Sequence, residues 1–104
     1  MKIAYSSTDG KFVDIHFGKC SSWTIADFSN GKIKVLETRK TPRLCQAGGH
    51  TQELACDMFD LLSDCKIIVT VRMGIWIKHF AQQRGIKVIE YIGEIEKSLE
   101  NAES

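Results

Sequence analysis

The first forty residues carry short apolar and alternating runs that are typical of β-strands. Turn residues separate these runs: Asp9-Gly10 follows the first run, and Asn30-Gly31 precedes the last. Because Asn-Gly accepts the positive φ angles of a two-residue turn, the second pair predicts a β-hairpin. The strands that the pattern predicts are Ile3–Tyr5, Phe12–Val13, Trp23–Phe28 and Lys32–Thr38.

From Thr51 onward, helix-like and strand-like patterns alternate. Lys66–Val71 is a continuous run rich in β-branched residues, which predicts a strand covered on both faces. Ile86–Glu90 is the last predicted strand.

Three segments show the apolar period of amphipathic helices. The first, after Thr51, has its apolar face at Leu54, Ala55, Met58, Phe59, Leu61 and Leu62. The second, Ile75–Arg84, has its apolar face at Trp76, Ile77, Phe80 and Ala81, with Gly85 as its C-cap. The third, Glu94–Ala102, directs Ile95, Leu99 and Ala102 inward.

These elements predict a single α/β domain over residues 1–104. An antiparallel N-terminal meander followed by βαβα units gives one mixed five-stranded sheet with helices packed on it. In such sheets, ligands bind beyond the carboxyl ends of the parallel strands. Three loops are expected to converge at that edge: residues 16–20, 45–50 and 72–74.

The composition fits an ordinary globular domain and excludes several functions. The 104 residues are 43% hydrophobic and 26% charged, with a formal net charge of +1. Such balanced charge argues against an electrostatic nucleic-acid or membrane binder. No apolar run is long enough to span a bilayer and no secretion signal opens the chain, so a cytoplasmic location is predicted. Because thiols stay reduced there, the four cysteines need an explanation other than disulfides.

The segment His16-Phe17-Gly18-Lys19-Cys20 places an imidazole and a thiol close together after a strand. Histidine and cysteine are the ligand types that suit zinc, copper(I) or an iron–sulfur cluster. The alternative is a structural loop in which His16 satisfies a backbone carbonyl and Cys20 fills space in the core. Both interpretations stay open for His16, whereas packing is favoured for Cys20.

The segment Cys45-Gln46-Ala47-Gly48-Gly49-His50 precedes the first long helix. A Gly-Gly pair there exposes backbone N–H groups, and the helix dipole attracts anions and lowers the pKa of a thiol. An anionic iron–sulfur cluster would gain from both effects, so a functional Cys45 is favoured. The alternative is a flexible connection in which Cys45 is merely exposed.

The other candidate residues have a structural explanation that competes with a functional one. Cys56 lies beside the apolar stripe of a helix and Cys65 lies between helix and strand, so both are predicted to pack in the core. Met73 offers a soft thioether, but such a residue usually fills a gap. Arg72 either neutralises an anionic ligand or is solvated. His79 lies on a helix away from the three loops and has no predicted role.

The signatures of several common enzymes are missing. The chain contains no Walker loop, no G-x-G-x-x-G, no C-x-x-C and no H-E-x-x-H. The predicted sheet topology resembles that of ribonuclease H, whose nuclease members need several carboxylates on strand ends to hold two metal ions. The first predicted strand carries no carboxylate, so nuclease activity is not expected.

Several short motifs follow one another along the chain in a specific order. They are Asp9-Gly10-Lys11, His16-Phe17-Gly18-Lys19-Cys20, Asn30-Gly31-Lys32-Ile33, Arg39-x-x-Pro42-x-x-Cys45, Gly48-Gly49-His50, Leu62-Ser63-Asp64-Cys65, Met73-Gly74 and Gly85-Ile86-Lys87-Val88. Their order and spacing are more specific than any single motif. With these motifs the chain resembles the dinitrogenase iron–molybdenum cofactor biosynthesis domain family over nearly its whole length, from Lys2 to about Leu99.

The resemblance implies a ribonuclease H-like three-layer fold without nuclease chemistry. It also implies a protein that binds or carries the iron–molybdenum cofactor or its iron–sulfur precursor. The family's motif residues carry over to His16 and Cys45, and less firmly to His50. Many members have a Gly-rich G-G-x-G-P stretch where this chain has Val71–Ile75. A bulkier loop here would hold a cluster less closely, or would hold a different cluster.

The leading hypothesis is therefore a cytoplasmic, non-catalytic carrier of an iron–sulfur or iron–molybdenum-type cluster. The predicted metal ligands are His16 and Cys45, and the rest of the predicted site comprises Cys20, His50, Gly48, Gly49, Arg72 and Met73. The expected partners are cluster-biosynthesis or recipient proteins, without nucleic acid or membrane, and the chain is expected to be a monomer or weak homodimer.

Two other hypotheses stay open. One is a regulatory or adaptor domain that docks on a partner protein or binds a small anion at Gly48-Gly49, without metal. The other is an enzyme with Cys45 as nucleophile and a histidine as base, although no third orienting group can be named for it.

Overall fold

The computed structural model of the protein describes residues 1–41 and 57–100. The strands are β1 (Lys2–Tyr5), β2 (Phe12–Val13), β3 (Ser22–Ser29), β4 (Lys32–Lys40), β5 (Ile67–Thr70), β6 (Lys87–Glu90) and β7 (Gly93–Glu94). The helices are α1 (residues 57–61), α2 (Ile75–Gln83) and α3 (Ile95–Ser98), and a 3-10 helix covers Phe17–Lys19.

A mixed five-stranded sheet with the order β4-β3-β1-β5-β6 forms the centre of the fold. Strand β1 is antiparallel to β3 and parallel to β5, and β5 is parallel to β6. The predicted mixed five-stranded α/β sheet is thus confirmed. The carboxyl ends of β1, β5 and β6 share one edge, and the start of β3 lies there too because Tyr5 is paired with Thr24.

Two apolar clusters on opposite faces of the sheet give the fold three layers. One cluster packs the sheet against α1 and α2; its members include Ala4, Phe17, Trp23, Ile25, Met58, Phe59, Leu62, Ile68 and Ala81. The other packs the sheet against α3 and the short strands; its members include Ile3, Tyr5, Val13, Ala26, Phe28, Ile67, Val69, Ile95 and Leu99. Strand β5 contributes to both clusters, which explains why its first three residues, Ile67, Ile68 and Val69, are all apolar.

The hairpin of β3 and β4 forms as its turn residues predict. Asn30 and Gly31 adopt φ angles of 53° and 76°. These positive angles match the twist of the two flanking strands, and both residue types tolerate them. The strands then pair from Ser29 with Lys32 to Ser22 with Lys40.

Strand β2 does not belong to the N-terminal meander, so that part of the prediction is wrong. It pairs with β7 in a separate two-stranded ribbon, with Phe12 opposite Glu94. The physical reason lies in the preceding turn, where Oδ1 of Asp9 accepts the backbone N–H groups of Lys11 and Phe12 at 2.8 and 3.0 Å. This turn directs β2 away from the main sheet. The buried side chain of Val13 packs in the apolar cluster that covers one face of that sheet.

The helices follow their predicted apolar faces with two differences, at Leu61 and Trp76. Met58, Phe59 and Leu62 are buried as predicted. Leu61 is half exposed, because around the helix axis it lies on the opposite side of Met58 from Phe59 and Leu62. Trp76 is 78% exposed, since the buried face of α2 is made by Ile77, Phe80 and Ala81. Leu54, Ala55 and Ala102 lie outside the described residues.

The third helix is shorter than predicted, because Glu94 belongs to β7 and α3 ends at Ser98. Ile95 and Leu99 nevertheless face the core as expected. Gly85, with a φ of 76°, follows α2 and donates its N–H to the carbonyl of Gln82, as predicted for a C-terminal cap. Within the described residues, no helix is long and apolar enough to cross a membrane.

Candidate functional site

Two of the three loops expected at the carboxyl edge of the sheet meet there. The backbone N–H of Phe17 donates to the carbonyl of Arg72 at 3.1 Å, and the N–H of Val71 donates to the carbonyl of Ile15 at 3.4 Å. Residues 45–50, which form the third predicted loop, lie outside the described residues. The structure thus brings His16 and Arg72, which follow β2 and β5, into adjacent backbone segments.

Two buried hydroxyls hold the chain directly before His16. Oγ of Ser6 and Oγ1 of Thr70 lie 2.8 Å apart, and they lie 2.7 and 3.1 Å from the carbonyl oxygen of Ile15. Neither side chain is exposed to solvent. Because Ser6 follows β1 and Thr70 ends β5, this hydroxyl clamp (Ser6 and Thr70) joins the His16 loop to two adjacent parallel strands.

The side chain of Phe17 anchors the same loop from below. It is 1% exposed, and its ring centre lies 5.5 Å from that of Trp23 and 5.8 Å from that of Phe59. The 3-10 helix then brings the N–H of Lys19 to the carbonyl of His16 at 3.1 Å. As a result, the buried phenyl ring fixes the backbone while the imidazole of His16 stays exposed.

Cys20 follows this turn, and its side chain points into the core. The residue is fully buried in the cluster under α1 and α2, and its Sγ donates to the carbonyl of Ser22 at 3.3 Å. This position agrees with the packing interpretation that the sequence favoured for Cys20.

The loop after β5 separates an exposed charge from a buried thioether. Arg72 is exposed, whereas Met73 is 4% exposed and packs in the core, as expected for a residue that fills a gap. The N–H of Met73 donates to Oε2 of Glu90 at 3.2 Å, and Lys78 binds the other carboxylate oxygen. The hydrogen bond from Lys78 is the main cause of the lowered pKa of Glu90, to which the N–H of Met73 and the charge of Arg72 add.

Cys65 is buried and His79 is exposed. Cys65 is 2% exposed in the core, as predicted, and burial raises the pKa of its thiol to about 11, with the charge of Asp64 adding. His79 is exposed on α2, where its Nε2 lies 3.1 Å from Nε2 of Gln83. Both residues belong to α2, and the absence of a functional role for His79 stays a prediction.

A complete metal site is not assembled by the described part of the chain. Residues 1–41 and 57–100 contain no group of three or more His, Cys, Asp or Glu side chains that could hold a metal ion. At the sheet edge they supply one exposed imidazole, His16, and one exposed guanidinium, Arg72. Further predicted members of the site, together with a cysteine expected in the core, lie outside the described residues: Cys45, Gly48, Gly49, His50 and Cys56.

The positioning residues Ser6, Thr70 and Glu90 were not predicted from the sequence. Thr70 is the polar member of an otherwise apolar strand, and Ser6 follows the apolar run of β1, so each gave a weak signal. Only the register of the sheet, which pairs Tyr5 with Val69, brings the two hydroxyls together.

Comparisons with a family model and with a curated protein both point to the iron–molybdenum cofactor. The family model described as dinitrogenase iron-molybdenum cofactor matches residues 1–104. The FeMo cofactor biosynthesis protein NifB of Frankia alni is 23% identical over 100 residues, which cover 93% of this chain. The chain spans only 20% of the length of that relative.

Two solved structures share the fold. The crystal structure of the protein PH0822 matches with a TM-score of 0.68 and 23% identity, covering 93% of this chain and 85% of that protein. The apo form of the orange protein from Desulfovibrio gigas matches with a TM-score of 0.62 and 14% identity, covering 97% and 85%.

Proposed function

Because this chain belongs to the dinitrogenase iron–molybdenum cofactor family, we propose that it binds and carries an iron–sulfur or iron–molybdenum-type cluster or its precursor. The family is involved in biosynthesis of that cofactor, so the partners we propose are proteins that build or receive the cluster. The proposed role is binding without catalysis, in the cytoplasm, where reduced thiols persist.

The observation that carries this proposal is that His16 is exposed on a backbone segment that buried contacts hold in place. Its imidazole is exposed, while the backbone on either side is fixed by the hydroxyl clamp and by the buried ring of Phe17. A metal-coordinating side chain on a fixed backbone loses little conformational entropy when it binds the metal. Because a carrier must also release its cluster, a single exposed imidazole with few further ligands suits this function.

The charge at the same edge supports an anionic cluster. The backbone carbonyl of Arg72 accepts the N–H of Phe17, the residue after His16. The exposed guanidinium of Arg72 therefore adds positive charge to the sheet edge that carries His16. Cys45 is the proposed second ligand, with His50 and Cys20 as secondary ones and Gly48-Gly49 supplying backbone N–H groups. The buried positions of Cys20 and Met73 favour the exposed His16 over either of them as the first ligand.

The topology supports a ribonuclease H-like assignment. Counted along the chain, the strands of the main sheet have the order 3-2-1-4-5, and the second strand is antiparallel to its neighbours. Strand β1 (Lys2–Tyr5) has no carboxylate, so the two-metal chemistry of nucleases has no support there.

Anaerobic reconstitution tests the proposed function. The protein is purified without oxygen and incubated with iron and sulfide, with and without molybdate; absorption spectra and metal content are then recorded. We expect cluster absorption in the wild type and its loss in the double variant His16→Ala/Cys45→Ala. Absence of cluster absorption in the wild type, or undiminished binding in the double variant, would contradict the proposal.

His79→Ala is the matched control for this experiment. His79 is an exposed histidine like His16, but it lies on α2 and binds Gln83. The variant should bind as much metal as the wild type. Circular dichroism of all variants checks that a loss of metal is not a loss of fold.

A second candidate function is docking on a partner protein without metal. It is favoured by Ile75 and Trp76, which are both 78% exposed where α2 begins, directly after Arg72–Gly74. Exposed aromatic residues are enriched in protein interfaces. Trp76→Ala should then weaken binding of a cluster-biosynthesis partner in metal-free protein, and an anion that binds at Gly48-Gly49 should raise the melting temperature of that same protein.

A further inference from the structure

Two adjoining cavities lie over the face of the β3–β4 hairpin that points away from α1 and α2. In this hairpin Thr24 is paired with Thr38 and Ala26 with Val35, and paired residues of an antiparallel ladder share a face. A β-bulge leaves Leu36 unpaired, so Val35 and Thr38 fall on the same face although they are three residues apart. The bulge thus creates a continuous floor of side chains along the edge strand.

The first cavity, here called the hydroxyl cavity, has a volume of about 630 Å³ and is lined by residues of the 7–11 and 15–22 segments and of the hairpin. The hydroxyls of Ser21, Ser22, Thr24 and Thr38 line it, and none of them forms a hydrogen bond with a residue of the described segments. Since these side chains line the cavity and have no hydrogen-bond partner within the described segments, their hydroxyls are available to a ligand as donors.

The charges around the hydroxyl cavity favour an anion. Lys11 and Lys19 both line it, and neither forms an ion pair within the described residues. Asp9 also lines it, but its Oδ1 already accepts hydrogen bonds from the N–H groups of Lys11 and Phe12 and from Oγ of Ser7. The cavity therefore presents two ammonium groups and several hydroxyl donors, which together suit an oxyanionic group.

The second cavity gives the ligand an apolar part. This apolar cavity has a volume of about 400 Å³ and is lined by Phe12, Ile33 and Ile95; it shares Gly10, Lys11 and Val35 with the hydroxyl cavity. An oxyanion would fill only part of this space, and volumes of this size are typical of small-molecule sites. The carboxylates of Glu94 and Glu96 line the apolar cavity and disfavour a second negative charge there.

Hydrogen bonds within the chain hold the wall between the two cavities in place. Oη of Tyr5 donates to the carbonyl of Gly10 at 2.6 Å, and Oγ of Ser7 accepts the N–H of Gly10 at 2.9 Å. Ile15 and Lys19, on either side of His16, line the hydroxyl cavity, whereas His16 does not. The two cavities are thus a preformed groove separate from the histidine at the sheet edge.

We propose that this groove binds a small organic anion, with its phosphate or carboxylate group at Thr24, Thr38 and Lys19 and its apolar body against Phe12, Ile33 and Val35. This second site lies beyond the proposed cluster-binding function and requires no metal. Its ligand is oriented by Lys19 at one end of the groove and by Glu94 and Glu96 at the other.

Titration of the metal-free protein followed by amide NMR tests this proposal. The probes are phenyl phosphate and phenylacetate, which distinguish the two oxyanions, together with inorganic phosphate and benzyl alcohol. At least one aromatic anion should cause saturable shifts at Thr24, Thr38 and Val35. It should bind more tightly than inorganic phosphate and than benzyl alcohol, because each of these lacks one half of the ligand.

Conservative variants locate the site. Thr24→Val and Lys19→Gln should each weaken binding by about fivefold or more, the effect of losing one hydrogen bond or charge contact. Ser29→Ala and Lys87→Gln, which change the same groups outside both cavities, should bind like the wild type, and so should His16→Ala. Since this assay contains no metal, it can fail while cluster reconstitution succeeds.

Three results would overturn the proposal. The first is the absence of saturable shifts with both aromatic anions. The second is an unchanged affinity in both Thr24→Val and Lys19→Gln, provided that their amide spectra show the native fold. The third is binding of inorganic phosphate or benzyl alcohol as tight as that of the aromatic anions, since the groove then does not recognise both parts.

Discussion

Arg39 and Asp64 form a two-point ion pair that joins β4 to the turn before β5. Nη1 of Arg39 lies 2.6 Å from Oδ1 of Asp64, and Nη2 lies 2.9 Å from Oδ2. Nη1 also donates to the carbonyl of Leu61 at 3.0 Å, and Nζ of Lys2 donates to Oδ2 of the same carboxylate at 2.9 Å. The pair therefore connects three parts of the chain that are far apart in sequence.

This pair makes stability depend on pH. The hydrogen bonds from Arg39 are the main cause that holds the pKa of Asp64 well below its usual range, and Lys2 adds to it. Because the folded-state pKa lies below the unfolded one, ionised Asp64 stabilises the fold above the unfolded pKa. This contribution is lost as the pH falls below that value. Asp64→Asn should lower the free energy of unfolding by about 1 kcal/mol near neutral pH, a modest value because the carboxylate is 42% exposed.

Urea denaturation from about pH 7 to about pH 3, across the unfolded pKa of a carboxyl group, measures this effect. The difference between wild type and Asp64→Asn should shrink toward the acidic end. Glu37→Gln is the control, since Glu37 is half exposed and makes one contact with Arg39, at 3.2 Å. It should change stability less at every pH. A difference for Asp64→Asn that stays constant with pH would contradict the prediction.

The sequence predicts those elements whose information is local. Asn30-Gly31 defines its hairpin because the turn residues lie between the strands that they join. By contrast, β2 and β7 are each two residues long and pair across nearly the whole chain, so neither shows a period or a turn that would reveal the ribbon. Trp76 was misplaced because a spacing of four with Phe80 is compatible with the edge of a helix face as well as with its centre.

The candidate site was predicted where a general rule of α/β sheets applies. The carboxyl-edge rule correctly placed His16 next to the loop of Arg72. It could not identify Ser6 and Thr70, since a serine or threonine at a strand end is common, and their contact depends on the register of β1 against β5. The hydroxyls of the groove were missed for the same reason, because the bulge at Leu36 decides which of them share a face.

The hydroxyl clamp gives a prediction about coupled hydrogen bonds. Ser6→Ala and Thr70→Val should each lower the free energy of unfolding by about 1–2 kcal/mol, since each removes hydrogen bonds from buried partners. The double variant should lose less than the sum, because both hydroxyls share one carbonyl and contact each other. Denaturant unfolding of the four proteins measures this double-mutant cycle, and hydrogen exchange at Phe17 should become faster in each variant.

Ser29→Ala is the control for the clamp variants. Ser29 is an exposed serine at the far end of β3, so its loss should change stability by less than about 0.5 kcal/mol. Strictly additive losses for Ser6→Ala and Thr70→Val, with unchanged exchange at Phe17, would show that the two hydroxyls act independently.

Cys65 should be chemically inert in the folded protein. Its side chain is 2% exposed, and burial raises the pKa of its thiol to about 11, so the reactive thiolate is scarce at neutral pH. Iodoacetamide should therefore modify Cys65 only after the protein is unfolded in urea. Mass spectrometry of the digested protein measures labelling at this position. Labelling of the native protein at the rate of the unfolded chain would show that the thiol is accessible.

Glu90 should oppose the binding of an anionic cluster, a prediction that depends on the proposed function. Its carboxylate lies near the charge of Arg72 and also accepts the N–H of Met73. Glu90→Gln removes the negative charge but keeps an acceptor for this N–H, so we expect cluster affinity to rise about twofold to fivefold, as for other partly exposed charge contacts. Arg72→Gln should lower it by a similar factor.

The amount of iron retained against a competing chelator, after reconstitution of each variant, measures these affinities. Glu90→Ala removes both the charge and the acceptor for the N–H of Met73, whereas Glu90→Gln removes only the charge. Comparing the two variants therefore separates the effect of the charge from the effect of holding Met73 in position. If Glu90→Gln and Arg72→Gln change retention in the same direction, the charge at this edge does not govern binding. If Glu90→Ala retains less iron than Glu90→Gln, the carboxylate also contributes by holding the loop that carries Arg72.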